Sequence, residues 1–78
     1  MAVNEGIARN CASVTASDTT RFSASAIFVG GAGTVVIEPE GTPGTYVTWT
    51  VPAGGYVLCR CTQVRAASTA TLMVRLYD

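Results

Sequence analysis

From Ser13 onward, apolar and polar residues alternate in short runs separated by glycine-rich breaks. A period of two places successive side chains on opposite faces of an extended strand. The cleanest case is 45–51, where Val47, Trp49 and Val51 share one face and Tyr46, Thr48 and Thr50 the other. Residues 26–30 form an apolar run, and 34–38 return with Val35 and Ile37 opposed to Thr34, Val36 and Glu38. Residues 56–64 read as one long strand, with Val57, Cys59 and Cys61 inward and Tyr56, Leu58 and Arg60 outward. Residues 71–77 alternate again, and Leu72, Val74 and Leu76 are expected in the core, with Met73, Arg75 and Tyr77 outside. A sixth, short strand fits at 13–15.

The breaks between these runs carry turn chemistry. Gly30-Gly31-Ala32-Gly33 offers the positive-φ positions of a hairpin. Pro39-Glu40-Gly41-Thr42-Pro43-Gly44 excludes regular structure and predicts an exposed loop, and Pro52-Ala53-Gly54-Gly55 predicts a turn. Ser17-Asp18-Thr19-Thr20 predicts a turn in which side chains satisfy their own backbone. Residues 1–12 lack a sustained period, although Val3, Ile7 and Cys11 recur every four residues. They are expected to form a loose N-terminal arm, with an arm that orders on a partner as the alternative, and a single β-domain over 13–78. The pattern predicts an all-β chain: a small antiparallel β-sandwich or barrel-like meander of five to six strands with glycine-rich turns.

Composition then narrows the function. The 78 residues carry five Lys+Arg, all Arg, against five Asp+Glu, so the formal net charge is zero. Scattered arginines on a neutral chain do not form the basic footprint of a nucleic-acid binder. No apolar run is long enough to cross a membrane as a helix. Asn4, Glu5, Arg9 and Asn10 interrupt the N-terminus, so no secretory leader is expected and synthesis in the cytoplasm is. The chain is 49% hydrophobic and only 13% charged, against about 25% charged for an ordinary domain. A weakly charged surface rich in Thr, Ala and Val, on a domain too small to bury much of itself, points to coverage by neighbours in a homo-oligomer.

The candidate chemistry is thin. There is no His, so no Ser or Cys has the usual base, and no metal set with His is available. Cys11, Cys59 and Cys61 are an odd set, and residues i and i+2 on a strand stand about 7 Å apart, too far for an unstrained disulfide. They read as free thiols, with Cys59 and Cys61 in the core. Glu38 and Glu40 flank Pro39 in a turn and read as solvated charges. No cofactor, metal or catalytic residue is assigned, and no enzyme is expected. Tyr46, Trp49 and Tyr56 could instead form an aromatic platform for a sugar, so a stand-alone glycan-binding module is the alternative from another class. Tyr46 and Tyr56 could also pair across neighbouring strands.

Four segments in order carry a resemblance: Ser17-Asp18-Thr19-Thr20, Phe28-Val29-Gly30-Gly31-Ala32-Gly33, Val51-Pro52-Ala53-Gly54-Gly55, and Thr69-Ala70-Thr71 running on to Leu76-Tyr77. Over roughly Ser13 to Tyr77, the chain resembles the head-spike base proteins of tailed phages and of phage-derived gene-transfer particles. It departs from that pattern at Leu58-Cys59 and at Ala67. The resemblance implies a virion protein on the capsid surface that mounts a fibre or covers the head. It also implies a ring at a vertex, a pentamer first, bound to the major capsid protein and carrying a spike fibre. A tail or baseplate part is the alternative within the same class. Ring contacts are expected from strand edges and from Gly30, Gly31, Gly33, Pro39, Glu40, Pro43, Tyr46 and Tyr56, with the arm reaching toward the capsid.

Overall fold

The computed structural model describes residues 8–77. Seven strands build two antiparallel sheets: β1 (Asn10–Val14), β2 (Ala26–Gly31), β3 (Gly33–Pro39), β4 (Val47–Val51), β5 (Gly55–Val57), β6 (Cys61–Val64) and β7 (Thr71–Tyr77). The four-stranded sheet runs β1-β7-β2-β5 and the three-stranded sheet β4-β3-β6. The all-β sandwich is as the alternation predicts, but the barrel and the meander are not found. Only β3 and β4 are neighbours in both sequence and sheet; β1 and β2 share a sheet without pairing, and every other step changes sheets. Strand β1 starts at Asn10, inside the stretch expected as an arm, and residues 1–7 of that arm lie outside the described residues.

The count rises above six because residues 56–64 are two strands. Tyr56 and Val57 pair with β2, while 61–64 pair with β3 in the other sheet. Leu58-Cys59-Arg60 makes the crossing, and a period of two cannot reveal such a break when parity survives it. Val57 and Cys61 are buried on the same side as expected, with Cys59 half-buried against them.

The glycine run is likewise a crossing, not a hairpin. Gly31 ends β2 in one sheet and Gly33 opens β3 in the other. What the glycines supply is clearance. A Cβ on Gly33 would lie 2.7 Å from the Ala70 nitrogen, and one on Gly30 would lie 2.9 Å from the Leu72 Cβ. The backbone of 69–72 therefore passes directly over the crossing.

The core lies between the sheets. Ile27, Val29 and Val57 of one sheet meet Val35, Ile37, Val51, Cys61 and Val64 of the other, all at most 3% exposed. Trp49 packs half-buried against this cluster. Val47, expected inside, is 41% exposed because β4 is an edge strand.

The register of β7 reverses the expected one. Met73 stands opposite Val29 and Arg75 opposite Ile27, and opposed residues in an antiparallel pair share a face. Met73, Arg75 and Tyr77 therefore face inward, and Leu72, Val74 and Leu76 face outward. The inward Arg75 is accommodated because its guanidinium leaves the core: it donates to the Ser23 carbonyl at 2.9 Å and stacks on Phe22 and Tyr77.

Candidate assembly surfaces

The molecule is a slab of 37 × 27 × 17 Å, so most of its surface lies on two broad faces. They differ in chemistry.

The outer face of the three-stranded sheet is polar. Thr34, Thr48 and Thr50 line it, and its far side carries a charge cluster. Glu38, expected as a solvated turn charge, is instead 2% exposed within β3. Its carboxylate ties three segments together: it accepts from Gly44 N–H at 2.7 Å, pairs with Arg21, and takes the Thr62 hydroxyl at 3.2 Å. The Gly44 N–H first, and then Arg21, hold the carboxyl below the usual glutamate range. The loop after Pro39 is thus clasped onto the sheet; Glu40 and Pro43 are exposed on it. No local pattern announces this role for Glu38, because its partners come from 17 residues upstream and 24 downstream.

Beside it, Gln63 is fully buried, and its Oε1 accepts from Arg65 at 3.0 Å. Arg65 also pairs with Asp18 at 3.2 Å and lies 4.1 Å over the Tyr46 ring. The turn expected at Ser17 forms, with Ser17 Oγ accepting from the N–H groups of Thr19 and Thr20 at 3.2 Å. Residues 17–24 then seal the free edge of β6, through Ser17 N–H to Val64 O at 2.9 Å and Phe22 N–H to Thr62 O at 2.9 Å.

The outer face of the four-stranded sheet is apolar. Register places Cys11 and Ser13 of β1, Val74 and Leu76 of β7, Ala26 and Phe28 of β2, and Tyr56 of β5 on it. Phe28 and Tyr56 meet edge to face at 5.3 Å. Leu72 extends the patch and is 76% exposed. Across its four strands this face carries no charged residue. Leu72 also holds φ at 54°, the left-handed region that costs a leucine about 1–2 kcal/mol.

Of the expected contact residues, Tyr46 and Tyr56 fall on opposite faces of the slab, so they do not pair with each other. With Trp49 half-buried, the three rings form no common platform, which removes the geometry on which the glycan reading rested. Gly30, Gly31 and Gly33 stand under this chain's own 69–72 segment, and Pro39 sits in β3 at a register shift. An open groove of about 560 Å³ lies between β1 and the 15–22 segment, lined by Val14, Thr20, Phe22 and Arg75 among others. Among the described residues no three His, Cys, Asp or Glu side chains converge as a metal site. The three cysteines are free: Cys11 exposed, Cys59 half-buried and Cys61 buried, with burial pushing the Cys61 thiol up to about 12.

No family model matches the sequence, and no curated protein does. A solved structure of the capsid of a native GTA (gene-transfer agent) particle, computed with C5 symmetry, contains a chain that matches with a TM-score of 0.80. The match is 33% identical and covers 97% of this chain and 90% of that one. The chain belongs to the family of this GTA capsid protein. That relative is a component of a virion-like particle.

Proposed function

We propose that this protein is a non-enzymatic structural component of a phage-like particle, standing on the capsid surface as a spike base or decoration protein. The observation that carries the reading is the near full-length match, at 33% identity, to a chain of a GTA capsid. Three properties support it. The chain offers no His and few carboxylates for catalysis. Its charge content is low for a protein that stands alone. The outer face of its four-stranded sheet is apolar across the four strands.

The C5 symmetry of the relative's particle supports a closed homo-oligomer of five copies. A fivefold contact joins two different patches on neighbouring subunits. The open edges on the two lateral sides of the slab, β4 and β5 on one and β1 on the other, suit such head-to-tail pairing. The remaining partners follow from this position: the major capsid protein below and a spike fibre above. Quantitative mass spectrometry of purified particles tests the reading. The protein should be present in a fixed ratio to the major capsid protein. Its absence from particles made by cells that express it would refute the proposal.

A further inference from the structure

Glu38 and Gln63 stand opposite each other on β3 and β6, and opposed residues in an antiparallel pair share a face. Ile37 points into the core, so both side chains lie on the outer side of the three-stranded sheet. Both are nonetheless buried there, at 2% and 0% exposure. The 17–22 segment and the loop after Pro39 reach over the sheet at this point: Arg21 pairs with the Glu38 carboxylate, and Gly44 N–H donates to it at 2.7 Å. The two side chains are not equally served. Glu38 holds three partners, the third being the Thr62 hydroxyl at 3.2 Å. The Gln63 Oε1 accepts from Arg65 at 3.0 Å, but its buried Nε2 donates to no acceptor among the described residues. Turning the amide over gives no remedy, because its N–H groups would then face the Arg65 guanidinium, donor against donor. A buried N–H without an acceptor forfeits the full hydration of that group, and the great majority of such groups in folded proteins have a partner.

We infer that Gln63 Nε2 holds a buried water, which passes the hydrogen bond on to the Glu38 carboxylate. The chemistry of the pair selects this ligand. The bound group must accept from Nε2, and it lies beside a carboxylate that only accepts, so it must also donate. A cation cannot accept, an anion is repelled by Glu38, and a side chain with no exposed surface is out of reach of a larger ligand. Water both accepts and donates, and buried waters typically serve about three otherwise unsatisfied polar groups. Glu38 has room to receive it. Its Oε1 takes Arg21 and Thr62, while its Oε2 takes Gly44 N–H alone among the described residues. The register shift between Glu38 and Pro39 interrupts the ladder beside the pair, and the water continues it. The result is a closed polar ring. Asp18 pairs with Arg65, Arg65 donates to Gln63, the water joins Gln63 to Glu38, and Glu38 pairs with Arg21. Asp18 and Arg21 both belong to the 17–22 segment, so the ring ties that segment to the sheet at two points where it seals the edge of β6. The inference holds wherever the protein stands in a particle.

Nuclear magnetic resonance of the full chain, labelled with nitrogen-15 and carbon-13, tests it. Gln63 is the only glutamine, so its side-chain amide gives one pair of signals, assigned through bonds to the Gln63 backbone. These protons should show cross-peaks to water with opposite signs in laboratory-frame and rotating-frame Overhauser spectra, the mark of a water that stays bound while the molecule tumbles. Oxygen-17 relaxation dispersion should then count one long-lived water fewer in Gln63→Met, which keeps the length of the side chain and removes its amide. Absent cross-peaks, or cross-peaks of equal sign as surface water gives, would overturn the proposal. So would a direct hydrogen bond from Nε2 to a protein acceptor in a high-resolution crystal structure, or an unchanged dispersion in a folded Gln63→Met. The wild-type cross-peaks decide the matter even if that variant fails to fold.

Discussion

Replacing Gly33 by alanine should strongly destabilise the protein, and the reason is geometric. The new Cβ would meet the Ala70 nitrogen at 2.7 Å, the Ala70 Cα at 2.8 Å and the Thr69 carbonyl carbon at 2.9 Å. All three are backbone atoms, so no side chain can rotate away. The 69–70 segment is also pinned from the far side, since the N–H groups of Thr69 and Ala70 both donate to the Thr34 carbonyl, at 2.8 and 3.0 Å. Relief therefore requires separating β3 from the start of β7. Overpacking of this kind costs about 1–3 kcal/mol, and the lost hydrogen bonds add about 1 kcal/mol each. Domains of this length hold roughly 4–12 kcal/mol in all. A loss of about 3 kcal/mol would lower the melting temperature by about 12–24 °C. Gly41→Ala is the control, because a Cβ there meets nothing within 4 Å, and it should melt within a few degrees of wild type. Thermal unfolding followed by circular dichroism reads both. If Gly33→Ala melts like Gly41→Ala, the glycine run is a free loop and the crossing geometry is wrong.

Three further outcomes are expected. Because the folded Glu38 carboxyl is held below the usual glutamate range, its contribution is complete at neutral pH and is lost as pH falls through the folded value. Melting curves from pH 7 to pH 3 should show this acid loss in wild type and a flatter profile in Glu38→Gln; matching profiles would mean that the clasp is not made. Thiol labelling of the native protein should be fast at Cys11, slower at the half-buried Cys59 and negligible at Cys61 until denaturant is added. Rapid native labelling of Cys61 would contradict its burial. Ile37→Ala removes a side chain with no exposed surface and should cost about 2–5 kcal/mol, seen as a lower urea midpoint; a cost below 1 kcal/mol would place Ile37 outside the core.

Strands β3 and β4 were legible because one face is buried and the other is largely threonine, which is the condition under which a period of two carries information. Val35, Ile37 and Val51 follow from it directly. In β7 the same rule misleads: Leu72, Val74 and Leu76 are its more apolar set, yet the register with β2 turns Met73 and Arg75 inward. The breaks at Leu58-Cys59-Arg60 and at Gly31 were hidden for a related reason: a strand that changes sheets can keep its parity. The Glu38 clasp was hidden because Arg21 and Thr62 reach Glu38 only through long-range pairing, and a carboxylate beside Pro39 looks locally like any turn charge. Chemistry was easier to exclude than position was to assign, because the absence of His is a fact of composition.

Electron cryomicroscopy of purified particles from producers with and without this gene tests the central claim most directly. The account predicts difference density on the head surface, shaped as five slabs about 17 Å thick around a fivefold axis. Identical maps from the two producers, or difference density confined to the tail, would contradict it.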